Sequence, residues 1–238
     1  MMRPSPDWLD TLPSNRLLAE MSLWSANLCR MADDIARVDP FTDIYHLDVA
    51  DGHFSPALLL FPDLVAAIRR TTAKPLHVHL MVADGILVDQ IRQFAEAGAD
   101  AISVHAENSN APEALDLIAG LGVEPGIVLQ LQTPIAEAAP YLDRVRILTL
   151  LGTRIGVKGQ GLDGSAEPRL REARTLIAGA GTGRRILLAA DGGIREHTVP
   201  GLRRSGAETI VMGSLAFNAP DLGARMDWVH GQPSEKAD

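Results

Sequence analysis

Eight short and almost uninterrupted apolar runs recur along this 238-residue chain, at 21–25, 44–49, 76–81, 101–105, 126–130, 146–151, 186–190 and 209–212. A strand with one face in water alternates apolar and polar side chains. Runs that are apolar throughout belong where both faces are covered, as in parallel strands flanked by helices. The intervening stretches have helical spacing instead. Residues 61–70 place Leu64, Val65 and Ile68 on one face, 86–97 place Ile86, Ile91 and Phe94, and 114–121 place Ala114, Leu117, Ile118 and Leu121.

The punctuation agrees with that alternation. Glu96-Ala-Gly98-Ala-Asp100-Ala-Ile102 and Arg204-Ser-Gly206-Ala-Glu208-Thr-Ile210 repeat one pattern, a glycine stopping a helix just before a strand. Thr133-Pro134 reads as an N-cap followed by proline at the first helical position. Eight strand–helix units in a chain close to the typical ~250 residues predict a (β/α)8 TIM barrel of the α/β class. An open doubly wound sheet is the rival, but no G-x-G-x-x-G follows the first strand. The expected division is an N-terminal extension at 1–20, the barrel at 21–230 and a tail at 231–238. Trp8, Leu9 and Leu12 in the extension suit covering a barrel end or a neighbouring chain.

Composition narrows the setting. A net charge of −8 argues against general nucleic-acid or anionic-membrane binding. No apolar run approaches the roughly 20 residues of a membrane span. The first 20 residues lack a signal peptide's apolar core, and the single cysteine, Cys29, suits a reducing compartment. The expectation is a cytoplasmic protein.

In such a barrel, chemistry lies where strands end and the following loops begin. His46 and Asp48 are two residues apart, so an extended strand turns both to one side. His79 ends the third strand and Asp191 the seventh. Two imidazoles and two carboxylates make a mixed N/O set for one divalent metal ion, zinc first, with manganese, iron or cobalt also compatible. Asp51, His53, His77 and His105 are candidates for orienting those ligands from behind, whereas His197 and His230 read as surface residues. Phosphate has its own signature. Glycines follow strand seven (Gly192, Gly193) and strand eight (Gly213, before Ser214), and the loop after strand six, 152–161, is glycine-rich and carries Arg154 and Lys158. Glycine lets backbone N–H groups approach an anion closely.

From about 21 to 220 the chain resembles the ribulose-phosphate 3-epimerase family of ketose-phosphate epimerases, whose barrel is of the ribulose-phosphate-binding type. The resemblance rests on Ser22-Leu-Trp-Ser25-Ala-Asn27, His46-Leu-Asp48-Val-Ala-Asp51-Gly52-His53-Phe54-Ser-Pro56, His77-Val-His79-Leu-Met81, Ile102-Ser-Val-His105-Ala-Glu107, Asp191-Gly192-Gly193 and Gly213-Ser214. It implies a metal on His46, Asp48, His79 and Asp191, with Asp48 and Asp191 also the acid/base pair and Asp48 the first base. It implies substrate contacts from Ser22, His79, Gly156, Lys158, Gly159, Gln160, Gly192, Gly193, Gly213 and Ser214. A phosphorylated ketose substrate and a homo-oligomer follow as expectations, with neither nucleic acid nor membrane as partner.

The chain also departs from the family's usual residues. Met-Asp-Gly is here Ala50-Asp51-Gly52, a methionine before the strand-six loop is Leu151, and N-P-G-F-G-G-Q reads Arg154-Ile-Gly156-Val-Lys158-Gly159-Gln160. After Pro56 stands Ala57-Leu-Leu-Leu-Phe61, where an asparagine and a glycine are usual. The metal and acid/base groups are kept while substrate loops differ. That pattern predicts epimerisation at C3 of ribulose 5-phosphate/xylulose 5-phosphate or of a related four- to six-carbon ketose phosphate. Two other classes compete: a non-catalytic sugar-phosphate-binding barrel, and an aldolase or decarboxylase on the same fold. The latter favours a lysine beside the second- and third-strand acids, where this chain has histidines.

Overall fold

Each of eight strands pairs in parallel with the next, and the eighth closes on the first, in the computed structural model, which describes residues 3–234. The strands are β1 (Leu18–Ser22), β2 (Ile44–Ala50), β3 (Leu76–Met81), β4 (Ala101–His105), β5 (Glu124–Leu129), β6 (Ile147–Leu151), β7 (Leu187–Asp191) and β8 (Thr209–Met212). The helices are α1 (Trp8–Thr11), α2 (Met31–Val38), α3 (Pro62–Arg69), α4 (Asp84–Ala97), α5 (Ala111–Gly120), α6 (Ala166–Ala180), α7 (Val199–Arg204), α8 (Ser214–Phe217) and α9 (Leu222–His230). A 3-10 segment, Ile135–Tyr141, takes the place of a helix between β5 and β6. This is the (β/α)8 barrel that the alternation predicts. Among the described residues no helix is long and apolar enough to cross a membrane.

Double-sided burial explains the continuous apolar runs. Every residue of β1, β2, β3, β4, β6 and β8 is buried, one face against the helices and the other inside the barrel. The helix-facing side joins the large core that includes Val65, Ile91, Phe94 and Ile118. At the strands' N-terminal end, Leu18, Ile44, Ala101, Ile147 and Leu187 form a separate cluster with Trp8 and Leu9. The extension therefore packs against the bottom of its own barrel. Residues 1–2 of the extension and 235–238 of the tail lie outside the described residues.

Several boundaries differ from the pattern-based expectation. β1 spans Leu18–Ser22, ahead of 21–25, because Glu20 interrupts the apolar run while Leu23–Ser25 turn into a 3-10 segment. β5 likewise starts at Glu124 rather than 126. Ile86 and Leu121, expected on buried faces, are 42% and 40% exposed. In α4 the buried stripe instead runs Leu87, Ile91, Phe94, at helical spacing. Thr133 caps no helix: Pro134 precedes the 3-10 segment, and the Thr133 hydroxyl donates to Glu107. The glycine stops hold. Gly98 follows α4 at φ 109°, and a Cβ there would lie 2.8 Å from Arg69 Cγ.

Removing the plug is the test of this packing. Trp8→Ala is expected to cost about 3–5 kcal/mol and Leu9→Ala about 2–5 kcal/mol, measured by urea unfolding followed in the far-UV. Unchanged midpoints would show that the extension does not hold the barrel floor.

Candidate active site

Alternate residues of a strand face the same side, so the inward row of each strand ends at the barrel's C-terminal mouth. In β2 that row carries His46 and Asp48. The register sets Asp48 beside His79 of β3 and Ser22 of β1 beside His46. Asp191 ends β7. One ligand atom from each of His46, Asp48, His79 and Asp191 lies within 4.8 Å of all the others. His46 Nε2 is 3.3 Å from Asp48 Oδ1 and 3.8 Å from Asp191 Oδ2; His79 Nδ1 is 3.6 and 3.7 Å from the same two oxygens.

The two imidazole nitrogens are the informative atoms. Among the described residues, buried His46 Nε2 and His79 Nδ1 find no hydrogen-bond partner. A buried unpartnered polar atom costs about 1–3 kcal/mol. Two lone pairs and two carboxylate oxygens converging on one point fit a divalent cation, which relieves that cost and balances the carboxylates.

The surroundings set the charges. Burial works against ionisation of Asp48, but His46 and His79 hold its carboxyl well below the usual carboxylate range. Burial pushes Asp191 up, against the pull of His46. Burial also lowers His79 to about 4, leaving its lone pair free near neutral pH. Burial opposes protonation of His46 too, yet Asp48 and Glu20 raise it well above its ordinary value. A nitrogen that holds a proton in such company is one from which a cation can displace it.

Further contacts fix the orientation of the cluster. Ser22 Oγ donates to Asp48 Oδ2 at 2.9 Å. Behind His79, Nε2 lies 2.9 Å from His105 Nε2, and His105 Nδ1 lies 3.0 Å from Glu107 Oε2. Behind His46, Nδ1 lies 2.8 Å from Glu20 Oε1, which is also 2.5 Å from His77 Nδ1. Glu20 was absent from the expected site. Its only signal is an acid within an apolar run, two residues before Ser22 and so on the same face. Asp51 and His53 take no part in the cluster. The Asp51 carboxylate accepts the backbone N–H groups of His53, Phe54 and Ala83 and so shapes the loop, while His53 is exposed. His230 is not a plain surface residue either, since its ring reaches the Leu17 carbonyl at 2.9 Å.

Above the cluster opens a cavity of about 420 Å³. Asp48, His79, Asp191 and Ser22 line it, as do Gly156, Lys158, Gly159, Gln160, Gly192, Gly193, Gly213 and Ser214; His46 sits beneath. Close loop packing requires the glycines after β7. A Cβ on Gly192 (φ 86°) would lie 2.3 Å from Thr153 Oγ1, and one on Gly193 (φ 71°) 2.6 Å from Leu162 Cα. The loop after β6 is held in shape by Gln160, whose amide donates to the Arg154 and Val157 carbonyls at 2.8 Å each. It reaches across the mouth: a Cβ on Gly156 would lie 2.1 Å from Ser55 Oγ, and Lys158 Nζ donates to the Trp24 carbonyl at 2.5 Å. Arg154 lines the cavity and also contacts Gln160 Oε1 at 3.3 Å.

The comparisons with known proteins agree with one another. Residues 18–217 match the model of the "Ribulose-phosphate 3 epimerase family". Ribulose-phosphate 3-epimerase 1 of Cupriavidus necator is 35% identical over 206 residues, covering 84% of each chain. Ribulose-phosphate 3-epimerase of Bacillus subtilis is 32% identical over 212 residues, covering 88% of this chain and 96% of its own. Among solved structures, 3-hexulose-6-phosphate synthase superposes with a TM-score of 0.64 at 16% identity, over 90% of this chain and 97% of its own, which speaks for the fold alone.

The purified chain is expected to hold one divalent cation that a chelator removes. His79→Ala or Asp191→Ala is expected to lose it, read by elemental analysis. A full metal equivalent retained by both variants would contradict the four-group site.

Proposed function

Because the chain belongs to the ribulose-phosphate 3-epimerase family, we propose that it is an isomerase that inverts C3 of a ketose phosphate by proton transfer between Asp48 and Asp191. Ribulose 5-phosphate/xylulose 5-phosphate is the first substrate pair, and related four- to six-carbon ketose phosphates are the others. The observation that carries this reading is the pair of carboxylates at one cavity, on strands separated by β8 and β1, with proton affinities pushed apart.

Inverting a carbon beside a ketone means removing its proton from one face and returning one to the other. A single base serves both faces poorly; two carboxylates on different walls serve one each. The His46 and His79 rings keep Asp48 ionised, so it takes the C3 proton. Burial raises the proton affinity of Asp191 above that of Asp48, so Asp191 is the group that delivers a proton to the opposite face, and the roles exchange in the reverse direction. Ser22, donating to Asp48 Oδ2, leaves Oδ1 toward the cluster. A divalent cation held by His46, Asp48, His79 and Asp191, zinc foremost, supplies Lewis acidity that stabilises negative charge developing on the substrate oxygens. Burial of the site strengthens each of these electrostatic effects.

The phosphate belongs at the loops after β6, β7 and β8, where Gly192, Gly193, Gly213 and Ser214 line one side of the cavity and Lys158 reaches over it. The altered residues 154–160 and Leu151 reshape that end, which supports a substrate related to ribulose 5-phosphate as well as ribulose 5-phosphate itself. A lysine-dependent aldolase or decarboxylase fits less well. The neighbours of Asp48 are His46 and His79, and Lys158 is engaged with Trp24. A purely binding barrel has no use for one proton carrier on each face. A cytoplasmic homo-oligomer completes the proposal, and exposed Cys29 suits that reducing setting.

In D2O, deuterium is expected to enter C3 of at least one member of a panel of four- to six-carbon ketose phosphates. No incorporation with any of them would sink the reading. Asp48→Asn and Asp191→Asn are each expected to lower kcat by about 10²–10⁴-fold, with little change in unfolding midpoint. Lys158→Met is expected to raise KM about 10-fold with kcat largely kept, as loss of a charged contact to an anion implies. An unchanged KM would place Lys158 outside substrate binding.

A further inference from the structure

We propose that Glu20, braced by His77 and Ser103, is a positioning residue that fixes the tautomer and ring direction of His46 for metal binding. This rests on the metal site argued above and concerns a layer of the barrel below it.

Glu20, His46, His77 and Ser103 come from β1, β2, β3 and β4 and are all fully buried. They form one line. Glu20 Oε1 lies 2.8 Å from His46 Nδ1 and 2.5 Å from His77 Nδ1, and His77 Nε2 lies 2.6 Å from Ser103 Oγ. Space for the serine is made across the β4–β5 pair, because a Cβ on Gly126 would stand 2.0 Å from Ser103 Oγ. An apolar layer is the cheaper way to fill a barrel interior. A buried acid shared by two imidazoles therefore calls for a role.

Counting protons supplies one. An ionised carboxylate only accepts, so the proton of each facing ring stands on Nδ1. His77 then presents a bare Nε2 to the Ser103 hydroxyl, which donates to it. His46, its Nδ1 committed in the same way, has Nε2 left to offer a cation. Among the described residues that atom has no hydrogen-bond partner, and it faces Asp48 and Asp191. The other tautomer of His46 would set a lone pair against the Glu20 oxygen and a proton into the metal site. Glu20 excludes it. The carboxylate also makes His46 a stronger donor, as outer acids do behind metal-bound imidazoles. The other imidazole is held differently: His79 has a second ring, His105, between itself and Glu107. Only His46 has an acid directly behind it among the two imidazole donors.

Zinc titration of the full chain against a competing chelator tests the assignment. Glu20→Ala is expected to weaken zinc binding about 10–100-fold, with Glu20→Gln weakened less because its amide oxygen still accepts, whereas folded variants within about twofold of wild type would overturn the role. A filler of the core would move the unfolding midpoint without moving zinc affinity. Histidine 15N spectra of the zinc-loaded wild-type chain give a second readout that needs no variant. His46 and His77 are both expected to carry the proton on Nδ1, and a proton on His46 Nε2 would overturn the proposal. So would a second bound zinc on Glu20, His46 and His77, which would need both Nδ1 atoms bare. A wild-type chain that binds no zinc or other divalent cation would overturn the underlying metal site instead.

Discussion

Closure of the parallel sheet is the constraint on which the rest depends. Once β8 pairs with β1, every second residue of every strand is committed to a dry interior, in layers from floor to mouth. The floor is apolar: Leu18, Ile44, Ala101, Ile147 and Leu187, sealed by Trp8 and Leu9. Above it the same inward rows turn polar, first with Glu20, His77 and Ser103, then with Asp48, His79 and Asp191. The fold thus supplies a stable base and concentrates its electrostatic strain at one end.

That strain is the source of the site's chemistry. Burying carboxylates and imidazoles is costly, and the cost falls only where each finds a partner. Asp48 is held ionised by two rings, Asp191 is driven toward its neutral form by burial, and His46 is gripped between acids on both sides. Equal environments would have given two equal acids and no direction for proton transfer. Among the described residues the unpartnered nitrogens of His46 and His79 are the remaining imbalance, one that a bound cation would remove.

The loops divide the labour with the strands. Strands β1, β2, β3 and β7 hold the proposed reacting groups on rigid backbone, while the loop after β6 leans across to 55–56 and Trp24 and shapes the space above them. Departures from the family's usual residues fall at two strand ends, Ala50 of β2 and Leu151 of β6, and in the loops after those strands, not at His46, Asp48, His79 and Asp191. On the proposed function, reaction type rests with the cluster and substrate choice with the residues around it, as expected of a barrel whose function is grafted onto its strand ends.

Local pattern determined the architecture and the inventory. Period and punctuation placed β3, β4 and β8 at their observed bounds, and two-residue spacing put His46 and Asp48 on one face. Where one apolar stripe could be drawn two ways, as at Ile86 and Leu87, or where a polar residue broke a strand, as at Glu20, the pattern misled. Partnership between strands was beyond it. Glu20 meets rings 26 and 57 positions away, and Asp51 and His53, beside the site in sequence, face another task. Periodicity records which way a side chain points along its own strand. Which side chains it then faces depends on register and closure, and those are settled only when all eight strands are buried together.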